Sequence, residues 1–355
     1  MVDLKKIGAA AAILLMSAGC LSLPDGAESS VVTAAAFNQS ISHSRNEQLL
    51  LNLVRLRYRD SSQFLRITSV SDSQTFTVEG SGSTNLSLMG TVLSDIGLGA
   101  GASAERQPVV SMSPLDDADF ASAMLTPLST ADLALLARSG WSIERILLCC
   151  VERVGGLTNS PRASGPTPAE LPDNAAFRRF AADIRALQRR DELSLIFDGE
   201  QTSLLFFGAD LEIPAVLRGP DGAELVDNTV ALRAVSDLER DGVPVQTRSI
   251  LGVLYALSHA VEVPAGHKAA GLVTNASPVS AQTPDWDAYL NGIFRVESGA
   301  QAPSDAFVAV YYRDHWFWIE DSNLTAKTTF NLVDYLIRLK SASGGGAPLL
   351  TLGLN

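Results

Sequence analysis

The sequence predicts an α+β protein: an N-terminal helical region carrying a long Gly/Ser-rich β-hairpin insertion, then a C-terminal mixed α+β domain. Three observations carry that prediction. Apolar residues recur at helical spacing in Asn46–Tyr58 and again after Pro114; the stretch from Gln63 to Met112 alternates and nearly lacks helix formers; and beyond Asn174 short alternating runs separate further helical segments. The 355 residues suffice for one large or two ordinary domains. With 39 acidic against 27 basic side chains, a formal charge of −12 and 46% hydrophobic residues, the chain is globular in composition and no nucleic-acid partner is expected.

Residues 1–19 read as a secretory signal peptide, because Lys5 and Lys6 precede the apolar run Ile7–Met16 and the small residues Ser17, Ala18 and Gly19. The run is too short for a membrane-spanning helix, which needs about 20 apolar residues. The segment Leu15-Met16-Ser17-Ala18-Gly19-Cys20 resembles the lipobox of bacterial lipoproteins, with Ser17 where that family usually has Leu. The resemblance implies that Cys20 is acylated and becomes the mature N-terminus, and that Leu21 and Ser22, in place of an acidic residue, sort the protein to the outer membrane. Residues 20–44, with the turn residues Pro24-Asp25-Gly26, are then a lipidated N-terminus and a tether to a periplasm-facing body.

Residues 45–156 form the helical region. Leu49, Leu50, Leu53, Val54 and Leu56 share one helical face of Asn46–Tyr58, and Arg45, Arg55, Arg57 and Arg59 surround it as solvated surface or as partners for anionic headgroups. A β-hairpin is expected over 63–112. Within it the even positions of Leu86–Ala104 are mainly apolar or small, a pattern that suits a strand of about ten residues crossing a bilayer in a β-barrel. A lone hairpin would leave its edges unpaired in lipid, so a membrane role for 70–105 requires several subunits; the alternative is a hairpin packed on its own domain or on a partner. Asp116-Asp117 opens a helix to Leu125, Ser129 or Thr130 caps Ala131–Arg138 with Gly140 as stop, and Ser142 caps a helix expected to run through Val151 to Gly155-Gly156. Pro161, Pro166, Pro168 and Pro172 mark 157–173 as a linker or exposed loop.

The α+β domain, 174–355, opens with a helix capped by Asn174 that turns Phe177, Phe180, Ile184 and Leu187 inward. Leu193–Phe197 and Ser203–Phe207 flank the turn signal Asp198-Gly199, and Thr229–Val235 follows as a strand. Thr247 can cap a helix closed by Pro264. Gly292–Glu297, Ala306–Tyr312 and His315–Ile319 read as strands, Asp321 or Ser322 precedes a helix through Leu339, and Leu349–Leu352 closes the chain as a strand.

No catalytic residue emerges. His43, His259, His267 and His315 lack metal-ligand spacing, Walker and nucleophile-elbow motifs are missing, and neither a metal nor a cofactor is expected. Cys149 and Cys150, adjacent on a helical stretch, read as small buried residues. Tyr312, Trp316 and Trp318 concentrate aromatic surface and are the candidate binding face, with Glu320 and Asp321 nearby. The phrases Asn46–Tyr58, Ser139-Gly140-Trp141-Ser142-Ile143-Glu144-Arg145 and Ser164-Gly165-Pro166-Thr167-Pro168 resemble a group of uncharacterised proteobacterial lipoproteins, a likeness that implies no activity. The expectation is therefore a lipid-anchored structural or assembly subunit of an outer-membrane-associated complex. Its partners are the membrane, copies of itself or other envelope proteins, with hairpin 70–105 in a shared barrel. The alternative is an envelope hydrolase or glycan-binding module using the C-terminal domain.

Overall fold

A computed structural model describes residues 26–81, 99–165, 174–208, 213–218, 227–273, 290, 292–341 and 349–350, so Cys20 and the signal segment lie outside the described residues. The fold is α+β. The chain divides into two units, Met1–Arg45 and Asn46–Asn355. In the first, the expected tether is helical from Gly26 onward, the start of helix α1 (Gly26–Arg57). Ala27, Ala34, Ala35 and Ala36 supply helix propensity without the apolar stripe that periodicity detects.

In the second unit, Leu49, Leu50, Leu53, Val54 and Leu56 of α1 are buried as their spacing requires. The helix stops in a Schellman motif: Asp60 N–H donates to the Arg55 carbonyl at 2.9 Å, Arg59 N–H to that of Leu56 at 3.1 Å, and Arg59 is left-handed with φ 62°. Asn52 then takes the Gln63 backbone N–H on Oδ1 at 2.9 Å and donates from Nδ2 to its carbonyl at 2.7 Å. From there the chain enters β1 (Leu65–Ser81), antiparallel to β2 (Gly99–Pro114), in register from Leu65 opposite Pro114 to Ser81 opposite Gly99 with a bulge between Ile67 and Ser69. The hairpin lies two residues from its expected bounds; the part of the alternating segment within 82–98 lies outside the described residues. On the other edge of β1, Ser69 and Val70 pair in parallel with Leu349 and Leu350.

Three short helices follow: α2 (Ala118–Leu125) capped by Asp117, α3 (Thr130–Arg138) capped by a reciprocal Ser129–Asp132 box, and α4 (Ile143–Cys150) capped by Ser142. Helix α4 ends earlier than its periodicity suggested. Val151–Val154 is instead a strand, β3, and Leu157–Thr158 is β4 beside it. Together with β5 (Leu193–Phe197), β6 (Thr202–Phe206), β7 (Thr229–Ala234) and β8 (Val243–Thr247) they build a six-stranded sheet in the order β4-β3-β8-β7-β6-β5. Only the β7–β8 pair is parallel. Strands β3 and β4 belong to the same sheet as β5–β8, and Asn159 and Ala163 are buried; residues 166–173 of the expected linker lie outside the described residues. Helix α5 (Ala175–Arg189) presses Phe177, Phe180, Ile184 and Leu187 into the core, as expected.

Helix α6 (Ile250–Ser258) is capped by Ser249, two residues beyond the expected cap, and is buried on nearly all sides. A short α7 (Ala265–Ala269) follows. A second, three-stranded antiparallel sheet has the order β10-β11-β9, from β9 (Glu297–Gly299), β10 (Ala306–Tyr312) and β11 (His315–Glu320). Arg313 and Asp314, both with positive φ (49° and 64°), make the β10–β11 turn. Helix α8 (Leu324–Ser341) and the two-residue β12 (Leu349–Leu350) complete the fold.

Candidate functional site

Strand pairing sorts the candidate aromatic residues onto two faces. Tyr311 lies opposite Trp316, and Tyr312 opposite His315, so alternation sends Trp316 and Trp318 to one side and Tyr312 to the other. The expected surface of Tyr312, Trp316 and Trp318 is therefore not one surface. Tyr311 is 55% exposed and stacks at a tilt on Trp316, their centroids 5.3 Å apart. Trp318 packs over Gly299, whose hydrogen stands where a Cβ would come within 3.1 Å of the indole, and its Nε1 is buried without a hydrogen-bond acceptor among the described residues. Asp321 is paired with Lys327 at 2.6 Å.

On the inner face, Phe317 and Ile319 are wholly buried and Tyr312 joins a polar cluster that sequence reasoning missed. Its members come from the exit of α1 (Tyr58, Asp60), the β10–β11 turn (Tyr312, Arg313, His315) and α7 (His267). Tyr312 hydroxyl donates to Asp60 Oδ2, and Arg313 donates to the same oxygen at 2.9 Å. Tyr58 Oη lies 2.7 Å from His267 Nδ1, the His267 and His315 rings meet edge-on with centroids 4.6 Å apart, and the Arg313 guanidinium stands 5.3 Å and 5.5 Å from the Tyr58 and Tyr312 ring centroids. No local pattern joins Tyr58 to His267, 209 residues away.

The electrostatics follow from this packing. Burial pushes the Tyr58 hydroxyl up to about 12, so it stays protonated. Burial alone would raise Asp60, but the hydrogen bonds from Tyr312 and Arg313 outweigh it and hold the carboxyl below its usual range. His267 is lowered by burial and by the neighbouring His315 and Arg313. These groups can orient one another and carry protons. Among the described residues no group of three or more His, Cys, Asp or Glu side chains converges as a metal site.

A second polar cluster is fully interior. Arg248, 1% exposed, donates to the carbonyls of Leu148, Cys149 and Val151 at 3.3, 3.1 and 2.8 Å, to that of Asn159 at 2.6 Å and to Ser164 Oγ at 2.9 Å. Asn159 Nδ2 adds bonds to Leu148 and Val151 at 2.9 and 2.7 Å, and its Oδ1 accepts from Asn174 at 3.2 Å. The last carbonyls of α4 are thus satisfied by side chains from elsewhere, which lets the chain leave the helix at Cys150 and enter β3. Asn174 serves this cluster and makes no side-chain cap on α5. Cys149 and Cys150 are buried, as expected, and their mutual hydrogen bond with burial pushes the Cys150 thiol well above its ordinary value. Of the arginines beside α1, Arg57 is no solvated surface residue: its guanidinium is lowered by burial.

An apolar cavity of about 30 Å³ lies between the six-stranded sheet and helices α3–α5, lined by Leu133, Ile146, Phe180, Ile184, Leu204 and Val245 among others. Its walls offer no polar partner even to a water molecule. No protein family matches the chain, and neither a curated protein nor a solved structure is similar to it.

Proposed function

We propose that this is a lipid-anchored envelope protein that acts as a structural or assembly subunit of an outer-membrane-associated complex, with its long hairpin lent to a β-structure shared between copies. The observation that carries the reading is the hairpin ladder itself. Beyond Ser69 and Val70 the outer edge of β1, and all of the outer edge of β2, have no strand partner among the described residues. A strand of 17 residues spans about 55 Å, against the 9–11 residues, roughly, that cross a bilayer in a barrel. Open edges of that length call for protein partners. The resemblance of Leu15–Cys20 to a lipobox supplies the anchor in this reading.

The test is the size and shape of the detergent-extracted full-length protein by light scattering and negative-stain imaging. A discrete ring that is lost on deleting 80–104 is the expected result. Monomers and dimers throughout, or rings indifferent to that deletion, would overturn the shared-barrel form. A second reading, a glycan-binding module, is supported by the exposed Tyr311 stacked on Trp316; Tyr311→Ala abolishing retention on peptidoglycan would favour it.

A further inference from the structure

The chain passes from α1 to β1 through Tyr58, Asp60 and Gln63, so whatever holds these residues holds the root of the hairpin. One fastening does not titrate: the paired bonds between Asn52 and the Gln63 backbone. The other is the Tyr58–Asp60 cluster. We propose that His267, edge-on to His315, is an acid-released latch on the hairpin root, closed while the His267 imidazole is neutral. Its consequence for assembly rests on the function proposed above; the latch itself does not.

The geometry supplies the mechanism. The Tyr58 hydroxyl lies 2.7 Å from His267 Nδ1, a contact in which the neutral imidazole can accept the tyrosine proton. Protonation puts a hydrogen on both ring nitrogens, so the tyrosine can no longer donate there. It also sets imidazolium charge within a 4.6 Å ring pair and beside Arg313. The groups that meet or act on His267 are Tyr58 from the exit of α1 and Arg313, Asp314 and His315 from the β10–β11 turn; Asp60 and Tyr312 join the cluster through Arg313 and Tyr58. Asp60 is already bound to Tyr312 and Arg313, which leaves Asp314 as the carboxylate that acts on His267. Burial and the neighbouring positive charge lower His267 in the closed state, so the open state binds more protons. Closure is therefore fully favoured above about pH 6.5, the unperturbed value, and weakens as pH falls from there through the lowered value.

Hydrogen exchange of the full-length, detergent-extracted protein tests this at about pH 7.5 and about pH 5, after correction for intrinsic rates. In the wild type, peptides covering 56–67, 262–272 and 311–316 should lose protection in acid severalfold more than peptides over β5 and β6. His315→Gln, which leaves the Tyr58–His267 bond in place, should shrink that excess, and the His267→Gln/His315→Gln pair should abolish it. An equal excess in wild type and His315→Gln, or none in the wild type, would overturn the latch even if the double variant does not fold. Light scattering at the same two pH values separates the claims. Rings that form equally well at both, with the root opening in acid, overturn the regulatory link; failure to form rings at either pH overturns the assembly reading while the exchange result stands.

Discussion

Arg248 with Asn159, and Asp60 with Tyr58, Tyr312, Arg313 and His267, both tie distant parts of the chain together, but their acceptors differ. The interior cluster spends its donors mainly on backbone carbonyls, which do not titrate. The cluster at the hairpin root is built from a carboxylate, two phenols, two imidazoles and a guanidinium, and stands at the surface: Asp60 and Arg313 are 36% and 37% exposed in their side chains. Polar groups that specify a core and polar groups that report on solution conditions can thus be told apart by what accepts their hydrogen bonds. The interior does hold one imidazole of its own, His259, which burial and the nearby Arg57 and Arg248 charges push down to about 3.

The largest effect should come from Arg248→Met, which leaves the end of α4 and Asn159 unsatisfied in the interior: a loss of about 3–5 kcal/mol in urea unfolding, not rescued by Arg248→Lys, whose single ammonium cannot reach all five oxygens. Next is the global acid response. Because His259 is lower when folded, its contribution is complete above about pH 6.5 and is lost at roughly 1.4 kcal/mol per pH unit on the way down to about 3. Urea midpoints measured across that range should flatten in His259→Gln. Tyr58→Phe keeps the ring and deletes one hydrogen bond, so it should cost about 1 kcal/mol globally while raising exchange locally at the hairpin root. The smallest effect belongs to the Asp60–Arg313 pair: a double-mutant cycle with Asp60→Asn and Arg313→Met should give a coupling of about 1 kcal/mol or less, because water screens both groups. A coupling several times larger would break the contrast between the two clusters.

Much of the fold was legible where a local rule applies. Asp117, Ser129 and Ser142 cap the helices expected after Pro114, and the hairpin, the β5–β6 and β10–β11 pairs and the inward face of α5 follow from turn residues and periodicity. What was missed depends on distant partners. Val151–Val154 continues the apolar pattern of α4, and only Arg248 and Asn159, 97 and 8 residues from Val151, supply the bonds that end the helix. Strand β8 carries Pro244, which lacks the N–H of a ladder residue, yet it sits between β3 and β7 inside the sheet. Gly242, at φ 130° with its Cβ position 2.7 Å from the Ala231 carbonyl oxygen, marks the tight approach there. Of the binding-face candidates, Trp316 shares a sheet face with the exposed Tyr311. Tyr312 lies on the other face, opposite His315, a placement that becomes visible only once the strand pairing is known.

The parallel pairing of Leu349–Leu350 with Ser69–Val70 has a temporal consequence. Synthesis delivers the N-terminal strands first, and residue 69 must wait for residue 349 before its sheet is three-stranded. Until then the long ladder is a two-stranded ribbon with both outer edges open, a form marginal by itself in water and prone to pairing with whatever strand it meets. A holding factor that shields the nascent ribbon would therefore matter most for this part of the molecule. The six-stranded body needs nothing beyond Thr247 to fill its strand order and can form earlier.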